Sequence, residues 1–395
     1  MVTLQKHSKL LKIKSKSVMF HTKNFILSVF ALLISLNCIA QNLFIGQDEG
    51  AIYDYFHIEK KDDCLTYRNF PQPVGLTQYI DIFKLGGLKT PLDNGAGSNC
   101  VKNILDDICL KKYTKNVPLD MAIGISMNDE AEIQNLVSGR FDAKINEFAE
   151  FMRAYPNVKF YLRIGYQFDG NWNSAYENRR RYIVAFQRIH DILRVNYEKG
   201  KTPKNWFSVW QASTSPIDDI MENKIENIGD WYPGDKFVDF CGISWFLAGT
   251  KTSPKHANST NLVHNRSQKS LANEMIYFAN SKKKPVMICE ATPQGYSLSG
   301  LYRKNISPFW DGTAGQTPVK LTPLQIWNEW YKPFFEFIEK NKQTIKIVAY
   351  INQNWDEQAT WALPKSATYW GDSRIQTNDK ISIWWSEMIT NTWVK

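Results

Sequence analysis

The chain has 395 residues, 43% hydrophobic and 22% charged, ordinary globular proportions with length for a large core. Its formal charge of +9 resembles a nucleic-acid signal, yet residues 1–40 hold six Lys and no acid, and the rest sets 42 basic residues against 39 acidic ones, a net of +3. No basic cluster interleaved with aromatics remains, which argues against a nucleic-acid partner.

Residues 1–40 are expected to be an export signal. A basic segment ending at Lys23 precedes the apolar run from Phe25 to Leu36, too short to span a bilayer comfortably. Asn37-Cys38-Ile39-Ala40 then offers a cleavage site before Gln41. The implied location is secreted or periplasmic, with no stable membrane span. An uncleaved anchor, a start at Met19 and a lipid-modified Cys38 stay open as alternatives. Past that site stand Cys64, Cys100, Cys109, Cys241 and Cys289, an odd number that leaves at least one free thiol. Cys100 and Cys109 are the best disulfide candidates; Cys241 and Cys289 sit in apolar runs and are expected to be buried. No metal-ligand spacing, phosphate loop or dinucleotide fingerprint is present, so neither metal nor cofactor is expected.

In chain order, a first strand is expected over 43–49, ending in Asp48 and Glu49. Residues 50–85 are loop-rich with a weak helical stretch, and 88–93 reads as a short second strand running into Asn94-Gly95-Ala96-Gly97. A third strand spans 119–126, ending at Asn128 and Asp129; a helix follows with Ile145, Phe148, Ala149 and Met152 on one face. Residues 159–173 open as an apolar fourth strand and close on Gln167, Asp169, Trp172 and Asn173. The clearest helix repeats Tyr182, Phe186, Ile189, Leu193 and Tyr197 at spacings of three and four. Further strands are expected over 206–211, 237–245, 285–290 and 345–352, with helices over 271–281, 323–341 and 381–388.

Eight strands mostly separated by helices predict an α/β fold, a (β/α)8 TIM barrel. No linker composition divides 41–395, so a single barrel domain is expected, with long catalytic-face loops over 247–269 and 292–321. Such a barrel brings its strand ends to one bowl: Asp48, Glu49, Asp93, Asn94, Asn128, Asp129, Gln167, Asp169, Trp210, Gln211, Trp245, Glu290, and Asn352 to Asp356. Carboxylates and amides bind hydroxyls while Trp faces stack on the apolar faces of pyranose rings, so the bowl suits a sugar.

Two segments carry a family resemblance. Arg163-Ile-Gly-Tyr166-Gln167-Phe-Asp169-Gly170-Asn-Trp172 resembles the fourth-strand motif of glycoside hydrolase family 26, the β-mannanase family of a large clan of retaining barrel glycosidases: Arg, two residues, His-Glu, one residue, Asn-Gly, one residue, Trp. Lys284 to Glu290 is similar to that family's seventh strand, which ends in the nucleophilic Glu. A sister family in the same clan fits as well. The resemblance implies a monomeric, secreted, retaining polysaccharide hydrolase acting on β-linked glycan, with Glu290 as nucleophile. It implies substrate contacts from Arg163, Tyr166, Trp172 and Asn173; Asp48, Glu49, Trp210, Gln211, Trp245, Asn352 and Trp355 complete the expected binding set. The motif also departs from the family. Tyr166 stands for its His, Asp169 for its Asn, and Gln167 for its general acid/base Glu. Asp169 or Glu49 is then the candidate for supplying the proton, or the barrel has become a carbohydrate-binding protein.

Overall fold

The computed structural model describes residues 41–56, 70–93, 95–215, 227–246, 267–304, 317–362 and 369–393; the expected export segment, Asn94 and much of both long loops lie outside them. Eight parallel strands close into a barrel: β1 (Asn42–Gly46), β2 (Gly75–Asp81), β3 (Asp120–Ser126), β4 (Phe160–Ile164), β5 (Trp206–Gln211), β6 (Phe240–Trp245), β7 (Val286–Ala291) and β8 (Ile345–Ile351). Each strand pairs with its neighbour in sequence, and β8 with β1. The fold is therefore a (β/α)8 barrel, and the described residues belong to one compact unit, Ala40–Val394. Among them no helix is long and apolar enough to cross a membrane.

Period-two alternation splits the strand residues between two cores. Leu43, Ile45, Met121, Ile123 and Leu162 pack with the helices, including Phe148 and Ile189. Phe44, Ala122, Tyr161, Val209, Met287 and Ile347 fill the barrel interior. The helix Arg179–Lys199 starts where the Asn178 side chain accepts from Arg181 N, and it buries the five aromatic and aliphatic residues that its spacing marks.

Two expectations are corrected. The second barrel strand is Gly75–Asp81, not 88–93; Leu92–Asp93 instead pairs with Ser98–Asn99 in a small hairpin. The strand escapes a hydrophobicity pattern because Thr77 and Gln78 are both fully buried polar residues. Cys100 is a free buried thiol rather than the partner of Cys109. Cys109 is disulfide-bonded.

Candidate active site

The floor of the bowl is built from inward residues one layer above the apolar plug. Arg163 is fully buried there. A Cβ on the neighbouring Gly124 would lie 2.8 Å from Arg163 Nη2 and 2.5 Å from Tyr79 Cδ1, so only glycine admits both side chains. Arg163 Nη2 donates to Thr77 Oγ1 at 3.1 Å, and Nη1 lies 3.1 Å from Glu290 Oε1.

Strict alternation would turn Glu290 toward the helices with Val286 and Ile288. A register shift prevents this: Ile243 pairs with Ile288 but Ser244 pairs with Glu290. The bulge at Cys289 turns both Cys289 and Glu290 inward, a common device beside active sites. Glu290 Oε2 accepts from Gln167 Nε2 at 2.7 Å, Gln211 Nε2 at 2.8 Å and Ser244 Oγ at 3.0 Å. Its Oε1 accepts from the Tyr79 hydroxyl. Arg163 and these four donors compensate a carboxylate that is only 3% exposed. Burial foremost pushes the Tyr79 phenol well above its ordinary value and the Tyr166 phenol up to about 12, so both stay protonated.

β4 ends at Ile164, and Gly165 (φ 57°) and Gln167 (φ 53°) then adopt left-handed conformations. A non-glycine residue there costs of order 1–3 kcal/mol. Asn173 holds the turn by donating to Gln167 O at 2.8 Å and Tyr166 O at 3.4 Å. The Gln167 amide is fixed at both ends, because its Oε1 accepts from Trp172 Nε1 at 3.1 Å.

Above this floor opens a cleft of about 400 Å³ lined by Glu290, Gln167, Tyr79, Tyr166, Trp172 and Asn173 on one side. Phe246, Trp355, Trp361 and Trp370 form another wall, with Trp370 centred 4.8 Å from Trp355 and 4.7 Å from Trp361. Gln47, Asp81, Asn99 and Ser126 add polar lining. Sequence reasoning missed Tyr79 and Asp81 with the strand that carries them. It also missed the Trp361 and Trp370 wall, although clustered Trp after β8 was a usable signal.

Several expected substrate contacts lie elsewhere. Arg163 and Gln211 sit beneath Glu290 and bind it rather than the cleft. Trp210 is core: it stacks on Phe168 at 4.8 Å and packs on Phe278. Trp245 packs on Phe337 at 4.7 Å, outside the barrel. Asp48 accepts from Ala51 N and Gln358 Nε2, each at 2.7 Å, and Glu49 accepts from Asn103 at the start of the helix Glu49–Phe56. Asn352 accepts from Ile375 N and donates to Gln376, tying β8 to the following loop.

Asp169 is also turned away, because the left-handed turn at Gly165 and Gln167 breaks the alternation that would have kept it beside Gln167. It is buried and accepts from Ser213 N at 2.6 Å and Thr214 N at 3.2 Å, bracing the loop after β5. Burial pushes its carboxyl up to about 6, against the pull of those amides. A folded value above the unfolded one of about 3.9 means that the fold gains stability as pH drops from about 6 toward 4. Asp169→Asn is expected to lack that gain in denaturant titrations across this range, while leaving the acid limb of any pH–rate profile in place.

No family model matches the chain. In sequence it is 31% identical over 347 residues to the β-1,3-xylanase TXYA of a Vibrio species, an alignment covering 88% of this chain and 64% of that protein. It is 30% identical over 347 residues to a β-1,3-xylanase of an Alcaligenes species, covering 88% and 63%. The chain thus spans slightly less than two thirds of these curated relatives. In structure it superposes on the catalytic domain of a family 26 endo-β-1,4-mannanase from Bacillus sp. JAMB-750 with a TM-score of 0.50, at 14% identity over 89% of this chain and 86% of that one. The chain is therefore similar in sequence to β-1,3-xylanases and shares its barrel fold with a family 26 mannanase, the family that its own fourth- and seventh-strand motifs resemble.

Proposed function

We propose that this chain is an exported retaining glycoside hydrolase that cleaves a β-linked polysaccharide, with β-1,3-xylan as the first candidate and Glu290 as nucleophile. The observation that carries the reading is Glu290 itself, a carboxylate turned by a bulge into an aromatic-walled cleft and held by five donors. The names of the sequence relatives support xylan. In the first step a Glu290 oxygen attacks the anomeric carbon and a glycosyl ester forms. Gln167 can donate a hydrogen bond to the substrate but cannot deliver a proton. Asp169 and Glu49 stand off the cleft, and Asp81 is the other carboxylate among its described lining residues. Reducing-end release from β-1,3-xylan, β-1,4-mannan and β-1,3-glucan tests the reading, with xylan expected to be cleaved best. Gln167 favours a second reading, a carbohydrate-binding barrel; calorimetric binding without product from any of the three would support it and remove the hydrolase.

Ring stacking contributes about 0.5–1.5 kcal/mol in protein aromatic pairs beyond burial, and a sugar face on Trp should be comparable. Trp172→Ala and Trp355→Ala are each expected to weaken oligosaccharide binding by that order in calorimetry. Trp210→Ala and Trp245→Ala are expected to leave the affinity of the folded protein unchanged and to cost about 3–5 kcal/mol in denaturant unfolding. Equal affinity losses from all four would erase the division between cleft and core.

A further inference from the structure

We propose that Tyr302, Tyr369 and Asp356 form a saccharide-binding position beside the cleft, taken by a further unit of the glycan chain that occupies the cleft. The proposal rests on the reading of the cleft as a glycan site and on no assignment of nucleophile or acid. The position is carried by a three-stranded antiparallel sheet of Tyr296–Ser297, Tyr302–Arg303 and Val319–Lys320. Tyr296 pairs with Arg303 across two strands, so their side chains share a face. Both bond Glu329, the Tyr296 hydroxyl at 2.8 Å and Arg303 Nη1 at 2.6 Å, which fixes that face to the helical segment Trp327–Tyr331. Tyr302 lies on the opposite face, where its half-buried ring stacks on Tyr369 with centres 5.9 Å and planes 27° apart. This pair adjoins the Trp wall: Tyr369 precedes Trp370, and Asp356 follows Trp355. Gly295 N donates to Trp370 O at 2.9 Å and Trp355 N to Gly371 O at 3.0 Å, so sheet and wall brace each other.

The hydroxyls say what the position recognises. Tyr369 Oη donates to Asp356 Oδ2 at 3.0 Å. A phenol has one proton, so the 2.9 Å contact between the two tyrosine hydroxyls is donated by Tyr302. The bonds therefore run one way, and they leave Tyr302 Oη and Asp356 Oδ1 as acceptors with no donor among the described residues. Lys304 adds a donor: its Nζ stands 5.4 Å from the centre of the Tyr369 ring, and its charge reaches Asp356. The exposed Lys320 sets its Nζ 5.4 Å from the Tyr302 ring centre and is the group that a sugar displaces. A ring face, two acceptors and a donor match the apolar face and the hydroxyls of a pyranose.

The test is calorimetric binding of β-1,3-xylo-oligosaccharides and β-1,4-manno-oligosaccharides, from the biose to the hexaose, by the native chain, Tyr302→Ala, Tyr302→Phe and Asp356→Ala. A ligand that the native chain cleaves is measured with each change placed on Glu290→Gln. In the series that binds, Tyr302→Ala is expected to weaken the hexaose about 2–12-fold, the order that one stacked ring supplies, and to leave the shortest bound ligand unchanged. Asp356→Ala should show the same dependence on length, and because Asp356 is exposed it keeps the test open if Tyr302→Ala does not fold. Tyr302→Phe keeps the ring without its hydroxyl and should lose less than Tyr302→Ala. Equal losses for short and long ligands would place the effect in the Trp wall and overturn the proposal. A hexaose affinity that none of the variants changes would overturn it as well. If the native chain binds neither series, the glycan reading of the cleft falls and takes the proposal with it.

Discussion

Glu290→Ala is expected to lower turnover by several orders of magnitude and to destabilise the fold at the same time. The loss of a nucleophile accounts for the first effect. The second follows from what Glu290 holds: Arg163 is fully buried, and Tyr79, Gln167, Gln211 and Ser244 all donate to the same carboxylate. Removing one partner of a buried ion pair typically costs about 3–5 kcal/mol. The two effects are separable. Glu290→Gln keeps the volume and one acceptor oxygen, so it should lose as much turnover while keeping more stability. Turnover of an aryl glycoside and a denaturant melt on both variants check this. Near-native turnover in folded Glu290→Gln would remove Glu290 from the nucleophile role.

The barrel was legible in the sequence wherever strands obey alternation and helices their period of 3.6. β3 to β8 and the long helix after β4 all sit where their patterns place them. β2 was not legible because polar residues displace the pattern on both of its faces: Thr77 supports Arg163 in the floor, and Gln78 accepts from Cys100 N at 2.9 Å. A strand whose inward face serves a site loses the apolar signature by which strands are found. Within the site, Glu290 was legible from its motif, but its orientation was not, since a one-residue bulge reverses the parity of every residue after it. Asp169 departs from strand parity for the opposite reason, because left-handed backbone at Gln167 ended an alternation that the sequence still displayed. Trp210 and Trp245 show the limit of composition. A Trp at a strand end faces cleft or jacket by parity alone, and both lie on the jacket side, against Phe278 and Phe337.

Gln167→Glu is expected to raise turnover on unactivated β-linked oligosaccharides at least tenfold. General acid/base assistance is worth about 10²–10⁴-fold, or roughly 3–5 kcal/mol of barrier. Geometry says why the gain should appear near neutral pH. Gln167 Nε2 lies 2.7 Å from Glu290 Oε2, far nearer than the roughly 5–5.5 Å between carboxyl groups of retaining glycosidases. Two ionised carboxyls cannot remain in such contact, so the introduced group should hold its proton and donate the bond that the amide donates now. That proton is the one a departing alkoxide needs. A carboxyl whose value is raised by a like charge loses its proton only at higher pH, so the variant should gain an alkaline limb in its pH–rate profile that the native chain lacks. Xylo-oligosaccharide hydrolysis across pH 4–9, a range set around the carboxyl and neutral values, reads both effects. If Asp81 already supplies the proton, Gln167→Glu should be neutral or harmful, and Asp81→Asn should remove the native alkaline limb instead. If neither the native chain nor Gln167→Glu turns over any glycan that it binds, the hydrolase reading fails and the carbohydrate-binding barrel stands in its place.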